Sequence, residues 1–467
     1  MADNDYSPGV RRYVEQGRQQ LAAAAAGRRR LRGMKFDTLA VHGCYGMDAA
    51  RENRGSINEP LYLSSAQHFE NSDHMEAALA YLMPSWTYSR IANPTLGYLE
   101  ETLALLEGYG FPGDVSACAV ASGMAAIFLA TNPLLADRRR GEKINLVAGS
   151  KCYGGTFMLF SERYAAERGI DVRWVRNPLD LDEWRSLIDD RTRFVFAEMP
   201  SNPGLAVCDI EALAELAHAV DAPLIVDSTV ATPALLRPLC LGADIVVQSV
   251  SKSLNTGGLA IAGAVIARHQ IPAKVGPPEL RANYAGYLKL LPGRDFGPAL
   301  SPFNALMILN DLRTLRAKMD RLSRNALRVA CFLQDHPQVE RVSYPGLAGD
   351  PGHALASRYM WLADGEDDYG EPVNRYGHLL AFTVRGGVGS ARNMFDRLRL
   401  IWRATDLGRI KSIATIPAIS THQQQGEQGR DLAGIVPNLV RLNVGGEHPD
   451  DIIADLDQAL AGGPLNP

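Results

Sequence analysis

The stretch VVQSVSKSLNTGG, residues 246–258, runs from apolar residues through two serines to a lysine and a pair of glycines. Its valine-rich beginning, together with the preceding ADI, is typical of a short strand buried in a sheet. Lys252 comes after the end of this strand, with Ser249 and Ser251 just before it. Ligands of an open parallel sheet bind beyond the carboxyl ends of its strands. The stretch therefore predicts that Lys252 faces a ligand site.

The alternation of strand-like and helical patterns extends from about residue 93 to residue 270. Short runs rich in valine and isoleucine, such as KINLVAGS, RFVFAEMP and APLIVDS, are each followed by a helical pattern. This order predicts a mostly parallel sheet that is covered by helices on both faces. Past about residue 300 the chain changes to long helices and then to the strands HLLAFTVRGG and VPNLVRLNVGG. We expect a large α/β domain followed by a smaller α+β domain.

These patterns divide the chain into three parts. Residues 1–92 are expected to form an N-terminal arm that contacts other subunits, residues 93–303 the large α/β domain, and residues 304–467 the small C-terminal α+β domain. In the arm, the alanines 22–26 and arginines 28–30 fit neither a secretory signal nor a transit peptide and predict a surface helix. The acidic segment WLADGEDDYGEPVN, residues 361–374, lacks apolar periodicity and predicts an exposed loop.

The composition excludes several classes of function. With 467 residues, 46% of them apolar, the chain can bury the cores of two or three domains. Its net charge of −4 provides no basic surface for a nucleic acid. No run approaches the roughly 20 apolar residues of a membrane span. The six cysteines form no CxxC pair and no cluster with histidine, which predicts reduced thiols in a cytoplasmic protein and no metal site.

Several of the expected strands end in polar residues. These residues are Ser122 with Gly123, Glu198, Asp227, and the segment that leads to Lys252. Taken singly they are ambiguous, because Lys252 alone fits a solvated loop and Asp227 alone fits a cap for the following helix. Taken together they are less easily explained by local structure, because parallel strands bring their carboxyl ends to one edge.

This set of strand ends suits an aldehyde cofactor that carries a phosphate. The Lys252 amine can form a Schiff base with the aldehyde, while Ser249 and Ser251 donate to phosphate oxygens. Asp227 can hold a protonated pyridine nitrogen through a charged hydrogen bond worth roughly 1.5–3 kcal/mol. Gly123 opens a helix whose free N–H groups attract an anion. The sequence therefore predicts pyridoxal 5′-phosphate as the cofactor.

A series of motifs follows the order of a known family. It includes YSRIANPT (88–95), ASGMAA (121–126), YGGTF (153–157), EMPSNP (198–203), VDSTVATP (226–233), LGADIVVQSVSK (241–252) and VRLNVGGE (440–447). The ordered series resembles the Cys/Met-metabolism, or transsulfuration, family of pyridoxal-phosphate enzymes, which contains cystathionine γ-synthase, methionine γ-lyase and O-acetylhomoserine sulfhydrylase. The resemblance begins near Phe36 and covers nearly all of the remaining chain. It implies a fold-type I enzyme with the cofactor in the large domain.

The resemblance implies a role at the cofactor for each matching residue. Lys252 would be the Schiff-base lysine and the base that moves the Cα proton, and Asp227 would pair with the pyridine nitrogen. Tyr153 would stack on the cofactor ring and serve as an acid or a base. The phosphate would be bound by Gly123, Met124, Ser249 and Ser251.

Other matching residues are implied to contact the substrate or a second subunit. Tyr88 and Arg90 would reach the phosphate of a neighbouring subunit, so that a homo-oligomer, typically a tetramer, shares its active sites. Asn202 would approach the cofactor oxygen or the substrate carboxylate. Arg441 would bind the substrate α-carboxylate through two parallel hydrogen bonds.

The implied activity is γ-replacement on an activated homoserine or a related amino acid, and the alternative is a carbon–sulfur lyase that performs γ- or β-elimination. Gly155 stands where methionine γ-lyases carry a cysteine, and Thr405-Asp406 stand where cystathionine-handling members carry Glu-Ser. FGPALSPFNA, residues 296–305, most resembles the sulfhydrylases. Asp406 would repel a substrate carboxylate unless it is paired. The substrate, leaving group and nucleophile stay open, as do an aminotransferase and a scaffold without catalytic activity.

Overall fold

The computed structural model describes residues 6–136 and 142–462 of the chain. Among these residues, the largest sheet has seven strands. They are β1 (Val115–Val120), β2 (Asn145–Gly149), β3 (Asp171–Val175), β4 (Thr192–Glu198), β5 (Leu224–Asp227), β6 (Ile245–Gln248) and β7 (Gly263–Arg268). Their spatial order is β1-β7-β6-β5-β4-β2-β3.

Of these seven strands, β7 runs against the others. It pairs antiparallel with both β1 and β6. The pairs β6-β5, β5-β4, β4-β2 and β2-β3 are all parallel. The mostly parallel sheet predicted from the sequence is therefore confirmed, and the other strands have their carboxyl ends at one common edge.

Helices precede the sheet and pack at its side. They are α1 (Pro8–Leu31), α2 (Phe36–His42), α3 (Met47–Glu52), α4 (Ser72–Leu79) and α5 (Pro94–Glu107). Ser7 caps the start of α1, because its hydroxyl accepts a hydrogen bond from the Val10 backbone N–H at 3.1 Å. Val10 and Tyr13 pack against Ala77 of α4, and most of the remaining α1 surface is exposed.

Further helices cover both faces of the large sheet. They are α6 (Gly123–Thr131), α7 (Gly154–Met158), α8 (Leu181–Leu187), α9 (Ile210–His218), α10 (Thr232–Leu235), α11 (Pro278–Ala282), α12 (Tyr284–Leu290) and α13 (Pro292–Phe296). Alternate residues of a strand point to opposite faces. In β4, Val195 and Ala197 join one apolar core, whereas Phe194 and Phe196 join the other. A strand that is buried on both faces explains its continuous apolar run.

A second sheet follows in the C-terminal part of the chain. The helices here are α14 (Pro302–Leu312), α15 (Leu315–Asp335), α16 (His353–Tyr359), α17 (Gly387–Arg397), α18 (Gly426–Leu432) and α19 (Pro449–Leu460). The strands are β8 (Val339–Ser343), β9 (Trp361–Glu366), β10 (Pro372–Asn374), β11 (Leu379–Val384), β12 (Trp402–Arg403), β13 (Ile413–Thr415) and β14 (Leu439–Asn443). Five of them form a sheet of order β12-β13-β14-β11-β8. Val329 of α15, Phe382 of β11 and Leu456 of α19 share its apolar core. The smaller α+β unit is thus confirmed.

The expectation of an exposed loop at residues 361–374 is wrong. Strands β9 and β10 pair antiparallel there, and Leu362 and Ala363 are buried. The Asp364 carboxylate accepts a hydrogen bond from the Phe36 backbone N–H at 2.8 Å and one from the Tyr109 hydroxyl at 2.6 Å. The acidic composition belongs to the exposed tip of the hairpin, and it conceals the short buried segment at the base.

None of the helices in residues 6–136 and 142–462 combines the length and the apolar character that crossing a membrane requires.

Candidate active site

The predicted strand ends meet at the carboxyl edge of the large sheet. The parallel register sets Glu198, the last residue of β4, opposite Asp227, the last residue of β5. It also sets Asp227 opposite Val247 of β6, and the chain reaches Lys252 shortly after that strand. At the end of β1, Ser122 leads directly into α6. The edge therefore gathers two carboxyl groups, a lysine and a helix N-terminus.

Lys252 forms an ion pair with Asp406. Its Nζ lies 2.6 Å from Oδ1 of Asp406, and Nε of Arg409 lies 2.6 Å from the other oxygen, Oδ2. Burial alone would raise the pKa of Asp406, but the Lys252 ammonium and the Arg409 guanidinium outweigh burial and hold this pKa below its usual range. Asp406 is therefore ionised and paired on both sides. This pairing reduces the repulsion between Asp406 and a substrate carboxylate that an isolated Asp406 would produce.

The segment that carries Asp406 packs against the backbone next to Lys252. Arg409 donates from Nη1 to the carbonyl oxygens of Ser251 at 2.6 Å and Asn255 at 2.8 Å. Gly408 has a φ of +77°, and a Cβ there would lie 2.5 Å from the carbonyl carbon of Lys252. Both the backbone conformation and the close approach therefore require glycine at this position.

Arg441 is a buried cation with one unpaired donor. It lies on β14, is 1% exposed and donates from Nη1 to Oδ1 of Asn202 at 3.0 Å. Its Nη2 donates to the carbonyl oxygens of Thr405 at 3.1 Å and Asp406 at 2.8 Å, while Nε has no partner among the described residues. Burial lowers the pKa of Arg441 to about 10. A buried guanidinium with an unmatched N–H is suited to an incoming carboxylate.

Asp227 and Glu198 form a neighbouring pair of buried carboxyl groups. Burial raises the pKa of Asp227 to about 6, and burial together with nearby Asp227 raises the pKa of Glu198 well above its usual value. Oδ1 of Asp227 accepts a hydrogen bond from the Thr229 backbone N–H at 3.0 Å, and the Thr229 side chain also favours the ionised carboxylate. A cationic ring nitrogen beside Asp227 would compensate for the burial of this carboxylate.

Glu198 connects two loops of the site. Its Oε2 accepts from the Tyr153 backbone N–H at 2.7 Å, and its Oε1 accepts from the Asn202 backbone N–H, also at 2.7 Å. One carboxyl group at the end of β4 therefore fixes the starts of two segments that carry predicted site residues.

The first turn of α6 forms a candidate anion site. The Ser122 hydroxyl accepts from the Ala125 backbone N–H at 3.1 Å, whereas the N–H groups of Gly123 and Met124 have no acceptor within the helix. A Cβ at Gly123 would lie 2.6 Å from Cβ and 2.7 Å from Oγ of Ser249. Glycine at this position therefore lets the Ser249 hydroxyl approach these N–H groups.

The two serines predicted to bind phosphate have different surroundings. The Ser249 backbone N–H donates to Oγ1 of Thr229 at 2.8 Å. Oγ of Ser251 donates to the carbonyl oxygen of Ala262 at 2.9 Å and accepts from the N–H of the same residue at 2.9 Å. Because a hydroxyl has one proton, Ser251 must rotate before it can donate to a phosphate. The arrangement favours Ser249 as the phosphate ligand, and the role of Ser251 stays a prediction.

Tyr153 presents a partly exposed ring at the same edge. It precedes α7, and its side chain lies beside Gly155 and Met124. A Cβ at Gly155 would be 2.6 Å from Cε1 of Tyr153 and 2.9 Å from Sδ of Met124. The ring, 39% exposed, can therefore keep this position only because residue 155 has no side chain.

Tyr88 and Arg90 are not brought to Lys252 within one subunit. The Arg90 guanidinium lies 5.6 Å from the centre of the Tyr88 ring and donates a hydrogen bond to the Arg294 carbonyl oxygen. Both side chains are exposed, and within the described residues neither bonds to Lys252 or Asp227. Their predicted contribution to a neighbouring subunit stays a prediction.

The sequence reasoning missed Arg409 and Asn443. Oδ1 of Asn443 accepts from the backbone N–H groups of Gly408 at 2.7 Å and Arg409 at 3.3 Å. Its Nδ2 donates to the carbonyl oxygens of Arg409 at 3.1 Å and Lys411 at 2.9 Å. Two signals were available. Asn443 is a polar residue in the apolar strand LVRLNV, and Arg409 directly follows Gly408, two residues after Asp406.

Comparisons with known proteins identify the family. Residues 37–461 match the model of the family described as Cys/Met metabolism PLP-dependent enzymes. This chain belongs to that family. The assignment confirms the predicted enzyme class and its cofactor, pyridoxal 5′-phosphate.

Members of the Cys/Met metabolism family resemble the chain over most of its length. An O-acetyl-L-homoserine sulfhydrylase of Leptospira meyeri is 36% identical over 92% of this chain and 97% of its own. An L-methionine gamma-lyase of Fusobacterium nucleatum subsp. polymorphum is 35% identical over 91% of this chain and 97% of its own. A solved structure of a putative O-acetylhomoserine (thiol)-lyase from Campylobacter jejuni superimposes with a TM-score of 0.79 at 34% identity, and covers 92% of this chain and all of its own. That structure contains N'-pyridoxyl-lysine-5'-monophosphate.

The residues at the carboxyl edge fit the family's cofactor. Lys252 offers an amine, Asp227 offers a buried carboxyl group for a ring nitrogen, and the first turn of α6 offers N–H groups without an acceptor in the helix. An amine, a ring-nitrogen partner and an anion site are the groups that a phosphorylated pyridine aldehyde requires.

The buried carboxyl pair predicts how stability depends on pH. In the cofactor-free protein, Asp227 with a pKa raised from 3.8 to about 6 keeps a proton that the unfolded chain has released. The unfolded state then binds fewer protons, so stability falls as the pH rises between these two values. Asp227→Asn should flatten this dependence, measured as the midpoint of thermal unfolding. Asp368→Asn, which removes an exposed carboxylate, should keep the original slope. An unchanged slope in Asp227→Asn would show that the raised pKa of Asp227 is not the cause of the pH dependence.

Proposed function

We propose that this enzyme catalyses γ-replacement on an activated homoserine or a related amino acid. The bond between Cγ and the leaving group breaks, and Cγ forms a new bond to sulfide, a thiol or another nucleophile. The sulfhydrylases among the relatives support this reaction, and the methionine gamma-lyases support elimination as the second candidate. The observation that carries the proposal is the packing around Gly155.

Gly155 occupies a place that leaves no room for a side chain. The resemblance implies a cysteine at this position in methionine γ-lyases. Here a Cβ would lie 2.6 Å from a ring carbon of Tyr153 and 2.9 Å from Sδ of Met124. Contacts below about 3 Å between non-bonded heavy atoms are repulsive. A lyase-type cysteine would therefore force Tyr153 to move, and for this reason we favour γ-replacement over elimination.

The cofactor's chemistry assigns roles to the residues at the carboxyl edge. When bound, pyridoxal 5′-phosphate supplies an aldehyde that bonds to an amine and a protonated ring that withdraws electrons. Lys252 holds the aldehyde carbon and moves the proton at the substrate Cα. Asp227 keeps the ring nitrogen protonated. Tyr153 contacts the ring and exchanges a proton with the substrate.

The phosphate and the substrate occupy opposite ends of this proposed site. Gly123 and Met124 bind the phosphate through their backbone N–H groups, together with Ser249 and Ser251. Arg441 binds the α-carboxylate through its unpaired Nε, oriented by the Asn202 amide. A charged N–H of fixed direction orients the substrate carboxylate as well as attracting it.

Product analysis separates the two candidate reactions. The protein supplied with O-acetylhomoserine and a thiol should form a thioether and acetate, because the thiol sulfur replaces the acetate oxygen at Cγ. Release of 2-oxobutanoate and ammonia at a rate that is independent of the thiol would instead establish the lyase.

Arg441→Lys should raise the KM for the amino acid at least roughly tenfold, because lysine keeps the charge and loses the fixed direction of the unpaired Nε–H. Arg341→Gln, which changes an exposed strand arginine, should leave this KM unchanged. An unchanged KM in Arg441→Lys would refute its carboxylate role.

A homo-oligomer with shared active sites is part of the proposal, with a tetramer as the expected form. Tyr88 and Arg90 are exposed and lie away from the Lys252 network of their own subunit. An apolar surface adjoins the turn that carries Lys252, where Leu259 is 71% and Ile261 63% exposed. Exposed apolar surface of this kind is typical of a subunit interface. A second subunit that covers it would complete the phosphate site with Tyr88 and Arg90.

Mixing two inactive variants tests the shared site. Lys252→Ala and Arg90→Ala should each be inactive alone, because each damages every site of its own homo-oligomer. Co-refolded in equal amounts, they should recover roughly a quarter of the activity, because half of the dimers are hybrids with one intact site. Recovery that does not exceed the sum of the separate variants would show that Arg90 acts within its own subunit.

A cytoplasmic location also belongs to the proposal. All six cysteines are free thiols, and Cys118, Cys152 and Cys208 are buried. Unpaired cysteines in this number suit a reducing compartment.

A further inference from the structure

The ion pair between Lys252 and Asp406 is not explained by the roles assigned so far. Asp406 is 154 positions from Lys252 in the chain, yet its Oδ1 lies 2.6 Å from the lysine Nζ. The side chains are 29% and 33% exposed, so solvent screens the pair only in part. The resemblance implies a neutral serine at this position in cystathionine-handling members. A carboxylate here changes the charge next to the amine that binds the cofactor.

The position of Asp406 is fixed from three directions. Arg409 holds Oδ2 at 2.6 Å and also donates to the carbonyl oxygen of Ser251, next to Lys252. Arg441 donates to the backbone carbonyl of Asp406 itself at 2.8 Å. Asn443 binds the backbone of the following residues through both ends of its amide. The ion pair therefore belongs to a supported network and is not a chance contact of two surface side chains.

Arg441 and Asn443 come from the same face of one strand. Residues two apart on β14 point to the same side of the sheet. Together they bind the backbone from Thr405 to Lys411 and present Asp406 to the end of β6. The strand that is proposed to bind the substrate carboxylate thus also positions the counterion of Lys252.

We propose that Asp406 is a positioning residue that holds the Lys252 ammonium whenever this amine is not bonded to the cofactor. This inference rests on the assignment of Lys252 as the cofactor-binding lysine. To bond, the ammonium gives one proton to solvent, Nζ forms a double bond to the aldehyde carbon, and the aldehyde oxygen leaves as water. An ionised partner at hydrogen-bond distance stabilises the ammonium before this step. Asp406 therefore slows cofactor uptake and retains the amine in a fixed place.

The direction of the effect distinguishes this role from simple structural support. A residue that only maintains the shape of the site would slow cofactor uptake when it is replaced. If Lys252 must instead separate from a counterion before it bonds to the cofactor, replacing that counterion by a neutral side chain would speed cofactor uptake. Asn in place of Asp406 keeps the size and can still accept from Lys252, but it carries no charge.

The experiment measures uptake of pyridoxal 5′-phosphate by the cofactor-free full-length chain, followed by absorbance. Asp406→Asn and Asp406→Ser should each take up the cofactor roughly fivefold faster than the original chain, the effect of a partly exposed ion pair. Asp406→Glu, which restores the charge, should return the rate toward the original value. Asp368→Asn changes the net charge equally at an exposed site and should have no effect.

A second measurement uses no cofactor. An amine-reactive ester applied to the cofactor-free chain should acylate Lys252 faster in Asp406→Asn than in the original, as read by peptide mass spectrometry. Lys35, whose side chain is 80% exposed, serves as an internal reference for reagent activity. Equal or slower uptake and acylation in both neutral variants would overturn the proposal.

The outcomes separate this inference from the proposed reaction. Faster uptake in the neutral variants, in a chain that forms no thioether, would retain the role of Asp406 and discard γ-replacement. Thioether formation with unchanged uptake would retain γ-replacement and discard the role of Asp406. Attachment of the cofactor to a different lysine would overturn both.

Discussion

The parallel register of three neighbouring strands is the constraint on which the site depends. It sets Glu198 beside Asp227, and Asp227 beside β6, so that the chain can reach Lys252 only at the same edge. Burial on both faces fixes this register, because a slip by one residue would move each apolar side chain to the opposite face of the sheet and out of the core that it fits. The chemistry of the edge is therefore a consequence of how the large sheet packs.

Two polar residues of the smaller sheet extend to the carboxyl edge of the large sheet. Arg441 and Asn443 extend from β14 to the segment that faces Lys252, and Arg441 also reaches Asn202 of the large domain. A guanidinium that is 1% exposed is tolerated because three hydrogen bonds and a nearby carboxylate offset part of its burial. The proposed substrate site thus lies where the two sheets face each other.

The sequence predicts the fold and most of the carboxyl edge because these depend on local pattern. Apolar runs between helical segments predict strands, and the residues just past them, such as Gly123, Asp227 and Lys252, lie at a common edge in any parallel sheet. The capping of α6 by Ser122 is equally local. Family motifs add Tyr153, Asn202 and Arg441, which local pattern alone does not single out.

The contacts that escape prediction are those between distant parts of the chain. Nothing in the spacing of residues shows that Asp406 meets Lys252, that Arg409 binds the carbonyl of Ser251, or that Asn443 holds the same segment. The hairpin at residues 361–374 was missed for a related reason, since the partners of its Asp364 are Phe36 and Tyr109. Hydrogen bonds of this kind depend on tertiary packing, which composition and periodicity do not encode.

The central claim is that one amine, Lys252, holds the cofactor against a ring whose nitrogen is bound by Asp227. Reduction of the loaded protein with borohydride converts the link between lysine and cofactor into a stable bond, and mass spectrometry of the peptides locates it. The account predicts the added mass on the peptide that contains Lys252. Attachment at any other lysine, or no attachment in protein that carries the cofactor, would contradict it.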